Sequence, residues 1–134
     1  MYSITKEVYF CYGHRLMLHP GKCRHIHGHS VKAAITLAAE SLNEQGMVCD
    51  FADIAEVAGR FIDSQLDHNF LVHEADPLVP LLRAANERHM VLSAHPTSEY
   101  IAQMIHGYLH RQGLPVKSVV LWETSSSCAS YSEP

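Results

Sequence analysis

The segment GKCRHIHGHS, residues 21–30, carries three histidines and a cysteine within ten positions. His27 and His29 are two residues apart. On a strand, the two-residue period sends both imidazoles to one face, within reach of a single ion. His14 ends an earlier extended run, and pairing of the two runs as a hairpin would set it beside them. Three imidazoles with a fourth position open is the arrangement of catalytic zinc; structural zinc sites are closed by four protein ligands. Gly28, between the two histidines, allows another group to come close to the backbone. The chain contains eleven histidines, so a short His-x-His is read equally well as a pair of ordinary surface residues.

Three further groups could move protons or hold a ligand. Cys23 lies four residues before His27, flanked by Lys22, Arg24 and His25. Cationic neighbours favour a thiolate, which could accept a proton from a substrate held nearby. Cys11, Cys49 and Cys128 are read as inert. Asp67 and His68 are adjacent, and a carboxylate beside an imidazole can fix its tautomer. The same pair also reads as a histidine placed favourably at a helix C-terminus. Glu123 follows the apolar run Val119 to Trp122. It is either a solvated strand end or a pocketed carboxylate able to accept two parallel N–H donors from a flat heterocycle.

These groups must be positioned by the surrounding elements. MYSITKEVYFCYGHRL alternates apolar and polar positions and predicts a strand. HIHGHSVKAAITLAAE puts His27, His29, Val31, Ala33, Ile35 and Leu37 on one face of a second strand. SLNEQGM is a turn. Over residues 50–66 the apolar spacing predicts an amphipathic helix with Asp50 as its N-cap. A second helix follows Thr97 as cap and ends at Gly113. PVKSVVLWET is a strand and CASYSE a short final strand or tail. Between residues 72 and 96 the expectation is a loop, with a helical turn near Leu81 to Ala85 and an extended piece near Met90 to Leu92. The order ββααββ without βαβ alternation indicates an α+β class: a four-stranded antiparallel sheet with two helices on one face. The other face then needs a partner, which predicts an oligomer.

Composition limits the alternatives. The chain has 134 residues, 47% of them hydrophobic, which suits one domain spanning 1–134. A formal net charge of −4 excludes a global basic face for nucleic acid. No apolar run approaches the roughly 20 residues needed to span a bilayer. The N-terminus lacks the basic-then-apolar pattern of a secretory signal. The irregularly spaced cysteines point to a reducing, cytoplasmic compartment rather than a disulfide framework.

Taken in order, GHRL at His14, the Cys-x3-His-Gly-His of CRHIHGH, Asp50-Phe51, LDHNFL, Pro96-Thr97-Ser98-Glu99 and Glu123-Thr124 resemble the 6-pyruvoyltetrahydropterin synthase family over nearly the whole chain. The three-residue gap between Cys23 and His27 is similar to that of the bacterial 6-carboxytetrahydropterin synthases of queuosine biosynthesis. The resemblance implies a tunnelling fold, in which sheets join into an oligomeric barrel, a hexamer built as a dimer of trimers. It implies Zn2+ on His14, His27 and His29, with Cys23 as general base. It assigns Asp67 and His68 to a second proton-transfer pair working across a subunit interface. Glu123 would anchor the pterin ring, with Thr97 and Glu99 lining its pocket. The implied reaction converts 7,8-dihydroneopterin triphosphate to 6-carboxytetrahydropterin, acetaldehyde and triphosphate. Lys22, Arg24 and Arg15 are the candidate cations for the triphosphate. The alternatives are a 6-pyruvoyl-forming enzyme on the same substrate and, from another class, a non-catalytic metal-binding protein. The chain departs from the family at Tyr12-Gly13, and over His73 to His95, where no motif matches.

Overall fold

A computed structural model describes residues 1–134. Two long strands dominate it, β1 (Tyr2–His14) and β2 (His27–Ala39), paired antiparallel from Tyr2↔Ala39 to His14↔His27. The helix α1 (Phe51–Phe61) follows, capped by Asp50, whose side chain accepts from the Ala52 N–H. It runs into a π-helical turn (Ile62–Leu66) and then β3 (Asn69–His73), α2 (Leu78–Ala84) and β4 (Met90–Leu92). The helix α3 (Ser98–Arg111), with Thr97 accepting from the Tyr100 N–H, leads to β5 (Val116–Trp122) and β6 (Cys128–Ser132).

The α+β class holds, but the sheet has six strands, in the order β4-β3-β1-β2-β5-β6, and three helices accompany it. The expected four-stranded antiparallel sheet in ββααββ order is therefore corrected. β3 pairs parallel with β1, and β4 parallel with β3. The reason is local. Asn69 to His73 is five residues long, and Leu71 and Val72 are both buried. A short parallel strand covered on both faces shows no alternation and cannot be told from a loop by periodicity. The helical turn expected near Leu81 is α2, and the extended piece at Met90 to Leu92 is β4.

Alternation along the long strands decides which face is buried. Phe10, Tyr12, Val31, Ala33, Ile35, Leu37, Val119 and Leu121 pack in one cluster with Ile54, Ala58, Ile101, Ile105 and Leu109 from α1 and α3. Each fully buried Ile or Leu contributes about 1.5–3 kcal/mol relative to exposure. The opposite face has no such cover. Tyr9 is 73% exposed, Thr5 and Thr36 share a hydroxyl hydrogen bond at 2.8 Å, and Lys32 pairs with Glu7 at 3.0 Å. No helix is long and apolar enough to cross a membrane.

Two devices fix the far end of β1. Asp76 is buried and accepts from Arg15 at 2.8 and 2.5 Å and from the Leu78 N–H at 2.8 Å. Burial pushes the Asp76 carboxyl up, but these donors outweigh it and hold it below the usual carboxylate range. Arg15 is thus committed to Asp76 and is a poor candidate for the triphosphate. The second device is the π-helical turn, closed by the Asp67 N–H to the Ile62 carbonyl at 2.7 Å. Such widened turns recur at functional sites. Here it delivers Asp67 and His68 against β1, with His68 held in the left-handed region at φ 54°.

Candidate active site and metal centre

His14, His27 and His29 converge at the end of the β1–β2 pair. Register places Tyr12 opposite His29 and His14 opposite His27. The ring centroids lie 4.6 Å (His14–His27), 5.2 Å (His14–His29) and 5.0 Å (His27–His29) apart. Gly28 makes the approach possible. A Cβ there would stand 3.0 Å from the Tyr12 carbonyl oxygen, so a larger residue would push the two strands apart.

The hydrogen bonds assign the tautomers. His14 Nδ1 donates to the Pro96 carbonyl at 2.6 Å, and His27 Nδ1 donates to the His25 carbonyl at 2.7 Å. In the neutral rings both Nε2 atoms are then bare acceptors, and they face each other at 3.1 Å. Two lone pairs at that distance repel unless a cation sits between them. His29 Nε2 is buried and lies 3.2 Å from Glu123 Oε1, without making a hydrogen bond. Two nitrogens bound tetrahedrally to one zinc stand about 3.3 Å apart, given Zn–N bonds of 2.0–2.1 Å. The donor set therefore fits a metal ion. The carbonyls on Nδ1 are the outer partners that orient ligating histidines. Burial lowers the proton affinity of His14 and, with His27 close by, of His29, although Glu123 works the other way. Both rings are accordingly suited to the neutral form that binds metal.

Glu123 lies just beyond β5, its N–H donating to the Ser127 carbonyl at 3.0 Å, and the pairing of β5 with β2 sets its carboxylate beside His29. Tyr12 donates a long hydrogen bond, 3.5 Å, to Glu123 Oε2. Burial raises the Tyr12 phenol well above its ordinary range, and the negative charges of Glu123 and Glu99 add to this, so Tyr12 is a neutral donor. Its ring meets His14 edge-on at 5.1 Å. Sequence reasoning noted Tyr12 only as a departure, because its partner lies 111 residues away. Thr97 spends its hydroxyl on capping α3, and the Glu99 carboxylate accepts from Ser98 at 3.0 Å.

His68 Nδ1 donates to Asp67 Oδ2 at 2.9 Å. The Cys11 N–H donates to Asp67 Oδ1 at 3.0 Å, and this bond, with help from His68, holds the Asp67 carboxyl below its ordinary range despite some desolvation. The thiol beside this pair in the chain is Cys11, not Cys23: Cys11 Sγ lies 3.6 Å from His68 Nδ1. Cys11, read from the sequence as inert, makes this contact because β1 brings it beside His68 across 57 residues. Cys23 sits in a 3-10 turn (Lys22–Arg24), its thiol half-buried and its carbonyl accepting from the Leu16 N–H at 2.8 Å. All four cysteines are free thiols.

A cavity of about 700 Å³ is lined by His27, His29, His68 and Cys11 among others. Arg88 also lines it, a cation that the unmatched segment supplies and that no motif announced. The arrangement can hold a divalent ion and present a carboxylate to a flat N–H edge next to it, while the Asp67–His68 pair offers an oriented imidazole against Cys11 on the other face of β1.

Residues 3–134 match the family of 6-pyruvoyl tetrahydropterin synthase. The chain is 31% identical to the 6-carboxy-5,6,7,8-tetrahydropterin synthase of Haemophilus influenzae, over 99% of this chain and 100% of that protein. It is 34% identical to the enzyme of the same name from Synechocystis, over 100% of this chain and 95% of the relative. Among solved structures, an uncharacterized protein from Wolinella succinogenes superposes with a TM-score of 0.81 at 29% identity, covering 99% of this chain and 98% of that one. The 6-pyruvoyl tetrahydropterin synthase of Caenorhabditis elegans shares the fold, with a TM-score of 0.72 at 21% identity over 99% of this chain and 96% of that one.

Proposed function

We propose, from the premise that the chain belongs to the 6-pyruvoyl tetrahydropterin synthase family, that it is a zinc-dependent lyase. It converts 7,8-dihydroneopterin triphosphate and one water to 6-carboxy-5,6,7,8-tetrahydropterin, releasing acetaldehyde and triphosphate. The observation that carries this reading is the convergence of the bare His14 and His27 nitrogens with His29, next to the Glu123 carboxylate.

His14, His27 and His29 hold the zinc ion. When bound, zinc supplies Lewis acidity toward the side-chain oxygens of the substrate. The remaining roles belong to the protein. Glu123 accepts the N–H edge of the pterin and keeps the reacting carbons aligned, with Thr97 and Glu99 bordering the ring. Tyr12 holds one carboxylate oxygen of Glu123 and so fixes its rotamer. Cys23 takes a proton from the substrate side chain as general base. His68, oriented by Asp67, transfers a second proton from the opposite side. Arg88, which faces the cavity, joins Lys22 and Arg24 as a receiver of the triphosphate. The chain acts as a single domain in the cytoplasm, with a place in queuosine biosynthesis.

Mass spectrometry of the products formed from dihydroneopterin triphosphate tests the reading. Acetaldehyde and a 6-carboxy pterin are expected. A pyruvoyl product assigns the sister activity instead, and no turnover by the zinc-loaded protein leaves only a metal-binding role.

The uncovered sheet face supports assembly into a barrel, a hexamer of two trimers, in which His68 of one subunit serves the neighbouring site. Light scattering should give about six times the 15.0 kDa chain mass. A monodisperse species at the mass of one chain would rule the assembly out.

A further inference from the structure

We infer, resting on the zinc reading of the three-histidine centre, that His73 and His95 are positioning residues for the metal ligand His14. They stack on each other and so fix the Pro96 carbonyl that orients its ring. Both lie in the segment from His73 to His95, where no motif matches. The two rings have centroids 4.4 Å apart and an interplanar angle of 25°. Pro96, next to His95, is buried, and its carbonyl accepts from His14 Nδ1 at 2.6 Å. That carbonyl decides which His14 nitrogen faces the metal, as outer partners of ligating histidines do.

The Pro96 carbonyl is held from both ends. On the C-terminal side, Thr97 caps α3, and its carbonyl accepts from the Ile101 N–H at 3.0 Å. On the N-terminal side, the Thr97 N–H donates to the His95 carbonyl at 2.8 Å, which closes a three-residue turn with Pro96 at its centre. Proline's fixed φ suits the common form of that turn. A turn closed on itself can still swing about its entry at His95, and stacking on His73 stops that swing. His73 is a firm base. It ends β3 opposite Leu92 of β4, its Nδ1 accepts from the Ala75 N–H at 2.9 Å, and its carbonyl accepts from the Asp76 N–H at 2.9 Å. Earlier in β3, Leu71 lies opposite His14 itself. The contacts thus close a ring. His14 meets Leu71 through the sheet, β3 carries Leu71 to His73, stacking joins His73 to His95, and Pro96 returns to His14 Nδ1. The role needs a flat ring at position 95 rather than its nitrogens.

Zinc titration of the metal-free protein against a chromophoric chelator tests this without the pterin reaction. His95→Ala and His73→Ala should each bind zinc about tenfold more weakly, the lower end of the roughly 10–100-fold cost of disturbing an outer partner. The double variant should lose no more than the larger single loss, because both changes break one contact. His95→Phe keeps a flat ring on His73 and should bind zinc as the wild-type chain does. Cobalt(II) in place of zinc adds a spectroscopic reading: its visible bands should shift in His95→Ala and stay in place in His95→Phe. A merely structural role for His95 would lower the melting temperature of the metal-free chain and leave the cobalt bands unmoved. Wild-type zinc affinity in His95→Ala, additive losses in the double variant, or failure of His95→Phe to restore binding would each overturn the inference. His73→Ala reads the same contact if His95→Ala does not fold. Absence of zinc binding by the wild-type chain would instead remove the three-histidine centre, and the inference with it.

Discussion

His27→Ala should leave the purified protein with close to no zinc by atomic emission, where the wild-type chain should carry one ion at this centre, and with turnover at background. The argument rests on what the substitution removes. His27 Nε2 faces His14 Nε2 at 3.1 Å, and both Nδ1 atoms are spent on carbonyls. Without His27 the centre keeps two imidazoles and the Glu123 carboxylate, which the proposed mechanism needs for substrate. Loss of a ligand costs more than the roughly 10–100-fold in affinity seen for changes to outer-shell partners. The fold should survive, because His27 contributes nothing to the apolar cluster. Retention of one zinc per chain in His27→Ala would mean that the ligands are other residues.

Cys23→Ala should keep its zinc and its fold and lose about 10²–10⁴-fold in turnover, the range for removal of a general acid or base. His68→Ala should behave in the same way toward the three-histidine zinc, and Cys49→Ala should change little. The prediction separates three arrangements. If Cys23→Ala loses zinc, the thiol is a fourth ligand and the site is closed, which favours a structural or carrier role. If it keeps both zinc and activity while Cys11→Ala is inactive, the base is the thiol that stands against His68 in the same chain. If each substitution abolishes turnover with zinc intact, both thiols act.

The three-histidine cluster was legible because it depends on short-range geometry. His27 and His29 share a face through the period of a strand, and His14 joins them through a hairpin between runs whose alternation is plain. Asp50 and Thr97 could be named as caps because a cap acts on its own first turn. Asp67, His68 and Glu123 could be named as polar residues at element ends, but not placed, since nothing nearby in the chain says what they face.

What the sequence determined by itself is therefore the α+β class, the long hairpin and the three imidazoles at its end, all consequences of periodicity within about fifteen residues. Tertiary structure alone decided the rest. The addition of β3 and β4 in parallel follows from five- and three-residue segments too short to carry a pattern. The contact of Cys11 with His68 spans 57 residues, and that of Tyr12 with Glu123 spans 111. Parallel pairing and pairing between distant strands are fixed by which apolar surfaces can be buried together, and that choice is made by the whole core at once rather than by any window of the chain.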